Sequence, residues 1–235
     1  MFLTSKFKLI LLGTILIFLG ACKTIKIVNN SFANKQSIPQ GFIPGSSFCI
    51  KFTYTDNPLI PKNIAEMIAS EAAEKIAKIL QTNGYVIRNS KTADYNLVFS
   101  FGMTKSINIV NVPVYMPGQT QIKNGNILDN SGEAVQYQEE TQTSGKVVYV
   151  PQECTVYNKN LVAQIYDARL QREANKEKQV WLGSADSSNE SSDIRDIMDY
   201  LLVSTFKYFG KNTQRIIATE MHYDNKEVKK LRKND

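Results

Sequence analysis

Residues 9–19 form an uncharged run of 11 residues dominated by leucine and isoleucine, preceded by Lys6 and Lys8 and closed by Leu19-Gly20-Ala21-Cys22. That run decides which part of the chain has to fold by itself. As a helix it rises about 16 Å, roughly half of a 30 Å hydrocarbon layer, so it fits a secretory signal better than a membrane-spanning anchor. Gly20 and Ala21 are small enough for a peptidase to approach the backbone, and the thiol directly after them is the group a lipid transferase modifies. Cys22 is therefore the expected lipid-attachment residue and residues 1–21 the expected lipoprotein signal peptide; an ordinary cleaved signal followed by a chance cysteine is the alternative. Each buried methylene of an acyl chain contributes about 0.8 kcal/mol of membrane affinity, so two or three chains hold a protein at a bilayer. Lys23 occupies the position where lipoproteins of enteric type carry an aspartate for inner-membrane retention. It favours the outer membrane, with the domain facing the periplasm.

Removing residues 1–21 takes away Lys6 and Lys8 and no acid, which lowers the formal charge from +6 to +4. With both signs scattered along the chain, that balance is ordinary for a soluble surface and gives no footprint for nucleic acid. About 190 residues remain from position 47 onward, enough for one core. After lipidation of Cys22 only Cys49 and Cys154 are left, in a compartment where disulfides persist. They are either a bridge closing a loop of about a hundred residues or two buried thiols.

Asn29-Asn30-Ser31, Pro39, Gly41, Pro44 and Gly45 interrupt any regular period in residues 22–46, which reads as a lipidated, flexible tether. Phe48 to Tyr54 alternates as a strand. Ile64, Ala65, Ile68, Ala69, Ala72, Ile76, Ile79 and Leu80 then recur at helical spacing, and Asn83-Gly84 supplies a left-handed stop. Tyr95, Leu97, Phe99 and Phe101 alternate as a second clear strand. Residues 104–143 lose this regularity and read as an irregular insert with one hairpin at Asn124-Gly125. Strands resume over 146–150, 155–157, 161–167 and 179–185. A second helix carries Ile194, Ile197, Met198, Leu201, Leu202, Phe206 and Phe209 on its apolar side, with Asp193 and Asp196 at its start. Residues 211–235 read as an extension ending in a basic tail. The expected fold is α+β, a single domain over 47–210 with a mostly antiparallel sheet and two amphipathic helices packed on one face.

Asn83-Gly84-Tyr85 after the first helix, Ala93-Asp94-Tyr95 opening a strand, Tyr166-Asp167-Ala168 closing one and Trp181-Leu182-Gly183 within another, all behind a lipobox, resemble a family of bacterial envelope lipoproteins known only as a domain of unknown function. The resemblance covers about residues 47–210. The chain departs from it in a long, glycine-poor insert and in the extension past Gly210. The family has no assigned catalytic residues, so the resemblance implies a fold and a location but no reaction.

Catalytic and metal-binding patterns are weak. His222 is the lone histidine and lies near a polar terminus, away from any serine or cysteine it would have to activate. Cys49, Cys154 and His222 lack the spacing of zinc ligands. Gly41 to Ser47 has no phosphate-loop lysine, and Asp129 to Glu133 lacks a calcium-loop ligand series. No catalytic residue, metal or cofactor is therefore expected. The expected function is a non-catalytic envelope lipoprotein, held at the membrane by its lipid, which binds another envelope protein through the 104–143 segment. The alternatives are a carboxylate-dependent hydrolase acting on peptidoglycan or lipid and a structural subunit of an envelope complex. The pattern does not specify an oligomeric state.

Overall fold

The computed structural model describes residues 24–128 and 130–233; the signal segment and Cys22 lie outside the described residues. Nine strands and four helices occur among the described residues: β1 Thr24–Ala33, β2 Ser47–Phe52, α1 Lys62–Thr82, β3 Val86–Ile87, β4 Tyr95–Met116, β5 Thr120–Leu128, β6 Ala134–Gln142, β7 Lys146–Asp167, α2 Ala168–Ala174, β8 Gln179–Asn189, α3 Arg195–Phe206, β9 Ile217–His222 and α4 Lys226–Arg232. They form two compact units. One is built from the chain up to Ser106 together with Val156 onward, and the other is Ile107–Thr155.

The expectation of an α+β domain with a mostly antiparallel sheet is corrected on each point. Strand accounts for 46% of the described residues and helix for 23%, so the fold is mostly β. The main sheet is mixed, with the order β3-β2-β4-β7-β8-β1-β9, and β5-β6 form a second sheet. β2 runs parallel to both β3 and β4, whereas β1–β8, β1–β9 and β7–β8 are antiparallel. The parallel half follows from α1. A 21-residue helix between β2 and β3 carries the chain back to the sheet end from which it left, so the next strands enter alongside β2 in the same direction.

Two segments expected to lie outside the core belong to it. Residues 24–33, expected to be tether, form β1 between β8 and β9, with every second side chain buried from Ile25 to Ala33. The C-terminal extension supplies β9, which pairs Thr24 with His222 through Asn29 with Ile217, and α4, whose Val228 and Leu231 are buried. The segment 104–143 is regular as well: it contains the end of β4, all of β5 and all of β6.

The two long helices form where periodicity placed them. α1 buries Ala65, Ile68, Ala69, Ala72, Ile76 and Leu80 against β2, while Ile64 stays exposed at its first turn. Gly84 sits at φ +82° just past its end. α3 packs on β8 and β1, and α4 packs on α3. Between helices and sheet lie Ile27, Phe48, Leu97, Phe99, Leu161, Ile165 and Trp181, all essentially inaccessible to water.

Asp94, Asp167 and Tyr85, singled out from the sequence, are joints of this core. Asp94 accepts from the Ser47 amide at 3.0 Å and from the Ser47 hydroxyl at 2.7 Å, which ties the start of β4 to the start of β2. Asp167 caps α2 by accepting from the amides of Arg169 and Leu170. Tyr85 donates its hydroxyl to the Phe42 carbonyl at 3.2 Å.

Candidate functional site

The unit Ile107–Thr155 is a ribbon. β5 and β6 pair antiparallel from Thr120 opposite Gln142 to Leu128 opposite Ala134. Gln119 and Thr143 continue the ladder: the Thr143 amide donates to the Gln119 carbonyl at 3.0 Å, and the Gln119 amide donates to Thr143 Oγ1 at 2.9 Å. Gly118 and Gly145 let the chains pass closely, since a Cβ on Gly118 would meet the Thr143 carbonyl at 1.7 Å and one on Gly145 would meet the Tyr115 hydroxyl at 2.0 Å.

Side chains in this unit have no core to enter. Among the described residues of 107–155, none is buried. The ribbon nevertheless carries Ile107, Ile109, Val110, Val114, Tyr115, Met116, Ile122, Ile127, Val135, Val147, Tyr149 and Val150 as exposed large apolar residues, with Ile109 at 73% and Tyr149 at 70%. Successive residues of a strand point to opposite faces. Ile107, Ile109 and Tyr115 therefore occupy one face, and Val110, Val114 and Met116 the other. Apolar surface on both faces of a strand pair marks an interaction site more often than an isolated exposed leucine does.

In the other unit, the sheet face turned away from α1 and α3 holds a cleft of about 660 Å³ bordered by Lys26, Val28, Asn160, Val162, Asp186 and Ser188. Burial pushes the Asp186 carboxyl above the usual carboxylate range. On the helix side, Asp199 accepts from Lys75 at 2.9 Å and from Arg232 at 2.6 Å, and Asp193 holds Arg195 at 2.7 Å. The Arg195 guanidinium draws the Asp193 carboxyl below its ordinary range. Asp199 serves as an anchor for α4 and Asp193 as an anchor for the first turn of α3. Among the described residues, no group of three or more His, Cys, Asp or Glu side chains is placed to hold a metal ion. No described helix is long and apolar enough to cross a membrane.

The residues singled out from the sequence are dispersed. Cys22 lies outside the described residues. Cys49 is buried on β2 in the first unit, and Cys154 is half-buried on β7 in the second, where its thiol donates to the Thr155 carbonyl at 3.9 Å. His222 lies on β9 opposite Thr24.

No known protein family and no curated protein matches this chain by sequence. Two solved structures are similar in outline. One is the PelC L103M dodecamer from Paraburkholderia phytofirmans, 11% identical with a TM-score of 0.36 over 76% of this chain and 94% of that one. The other is a PDZ domain protein from Parabacteroides distasonis, 12% identical with a TM-score of 0.37 over 88% of this chain, which spans 41% of that protein's structure. Neither likeness assigns a site.

What residue-level reasoning missed was the extent of the ribbon. The pairing partners of 107–116 lie on β7, tens of residues later, and Pro113, Pro117, Asn124-Gly125 and Asn130-Ser131-Gly132 resemble loop punctuation when read locally; Asn124-Gly125, expected to turn a hairpin, instead lies inside β5, paired with Gln138 and Tyr137.

Proposed function

We propose that this protein is a lipid-anchored, non-catalytic lipoprotein of the bacterial outer membrane, facing the periplasm, which binds another envelope component through the 107–155 ribbon. The observation that carries this reading is the ribbon itself: a unit with no buried residue among those described that displays apolar side chains on both faces. A two-stranded hairpin is marginal in water unless something packs against it.

The anchor half of the proposal rests on Cys22 and on covalent reach. β1 begins at Thr24, and two residues of chain span at most about 7 Å, so a lipid on Cys22 would hold the first sheet strand at the headgroup layer. The binding partner would then meet the ribbon close to a membrane surface.

Ser106 and Val156 are adjacent across the main sheet, with Ser106 Oγ donating to the Val156 carbonyl at 3.3 Å. A two-residue turn joining them removes the whole ribbon while leaving the core intact. The experiment is crosslinking in intact cells followed by affinity capture, comparing the full chain with this shortened one. The expected result is loss of the captured envelope partner. Identical capture from both chains would remove the ribbon from the proposal.

A further inference from the structure

We infer that the component covering the ribbon is a second copy of this chain, docked edge to edge so that β5 of one copy lies beside β6 of the next. This rests on the reading of 107–155 as an interaction surface and names its partner.

β2 pairs with β4 only over Tyr95–Phe99, and β8 pairs with β7 only over Tyr157–Tyr166. Among the described residues, 107–116 and 146–155 therefore have no strand on their outer sides, and β5–β6 is a sheet of two. Each outer side presents a row of backbone N–H and C=O groups, which is a template for another strand. One copy offers two such edges of different sequence, the outgoing 107–128 and the returning 134–155.

Charge selects how two copies meet. The outgoing stretch contains Lys123 and no acid, whereas the returning stretch contains Glu139, Glu140 and Glu153 against Lys146. An outgoing edge beside a returning edge joins opposite signs. Two returning edges beside each other oppose glutamates. The favoured contact is thus head-to-tail, and repetition of one head-to-tail contact makes a ring if the rotation closes. Proline locates its centre: Pro113, Pro117 and Pro151 lack the N–H that an edge donates, while residues 118–150 contain no proline. β5 and β6 lie inside that interval. Pairing adds a third and a fourth strand to the ribbon and sets Ile122, Ile127 and Val135, which the isolated copy leaves exposed, beside side chains of the neighbouring strand on the same sheet face.

The test uses the full-length lipoprotein extracted from membranes in mild detergent, with mass measured by native mass spectrometry and light scattering. Trp181, the single tryptophan and buried in the other unit, reports by fluorescence that the core is folded. The expected result is an assembly of several copies that falls to monomer when the two-residue turn replaces 107–155. Lys123 stands opposite Glu139 within one copy as well, so the charge variant is E139Q/E140Q, which sets no like charges against each other across β5–β6; it should weaken the assembly severalfold, with the far-ultraviolet circular dichroism and Trp181 emission unchanged. A monomeric wild-type chain, or an assembly that survives removal of the ribbon, overturns the inference. If that monomer still captures a different envelope protein through the ribbon, the binding proposal stands and only the self-pairing fails; if it captures nothing, both fail.

Discussion

The indole N–H of Trp181 donates to the hydroxyl of Ser31 across 2.9 Å, joining residues 150 positions apart inside the core. Ser31 passes the bond on, donating to the Lys211 carbonyl at 2.7 Å and standing 3.1 Å from that of Tyr208. The indole plane lies over Gly183 on the same strand face and reaches Phe206 and Phe209. Trp-x-Gly is thus a packing pair, with the glycine absent of side chain because the tryptophan occupies that space.

Gly183→Ala should therefore be destabilising. Its Cβ would stand 2.4 Å from Trp181 Cη2 and 3.1 Å from Thr205 Cγ2. Forced repacking of this kind costs about 1–3 kcal/mol. Urea unfolding followed by tryptophan fluorescence measures it, and an unchanged midpoint would contradict the packing described.

Ser31→Ala tests the other half of the pair. It leaves the buried indole N–H without its acceptor, a loss of about 1–3 kcal/mol. The same unfolding experiment applies, and Ser31→Thr should recover part of the loss by restoring a hydroxyl.

Stability should fall in acid partly through Asp94. The Ser47 hydroxyl donating to it, assisted by the Ser47 amide and by Arg169 and Arg88, holds its carboxyl below the usual carboxylate range, against an opposing effect of burial. A carboxylate depressed in the folded state contributes stability that is fully present above its unfolded value, near 4, and is lost as pH falls through the lower folded value. Asp94→Asn should therefore differ from wild type at neutral pH and converge with it once pH falls below the lowered folded value. Parallel pH profiles would exclude the Ser47–Asp94 joint as a source of acid sensitivity.

Arg232→Ala should loosen α4 while sparing the sheet. Arg232 bonds Asp199 at 2.6 Å and lies over the Tyr200 ring at 5.3 Å, and Asp199 keeps Lys75 when Arg232 is removed. Because the Arg232 side chain is 44% exposed, the cost should be only about 1 kcal/mol. Hydrogen exchange should accelerate over residues 226–232 and remain unchanged over β1 and β8. Lysine at 232 should not restore protection, since it lacks the planar fork and the stacking surface.

Replacing Cys22 with serine should move the chain from the membrane to the soluble fraction and change the mass of the mature product by the acyl groups lost. Membrane retention of the serine variant at wild-type level would sink the anchoring proposal. Trp181 emission should be the same in both forms, because the core begins after the anchor.

Sequence alone determined the elements whose order is local. α1 and α3 were legible because helical contacts repeat every three or four residues, and Asn83-Gly84 marks its stop within one turn. Tertiary structure decided the rest. Asn29-Asn30-Ser31 has the composition of a turn, yet it lies in β1 because Asn29 meets Ser204 and Thr219 while Ser31 meets Trp181 and Thr213. The basic tail became α4 because Asp199 and the apolar side of α3 receive it. Parallel pairing of β2 with β4, and the ribbon edges, depend on partners many tens of residues away. A strand's polar groups are satisfied by whichever chain lies beside it, and that neighbour is chosen in three dimensions.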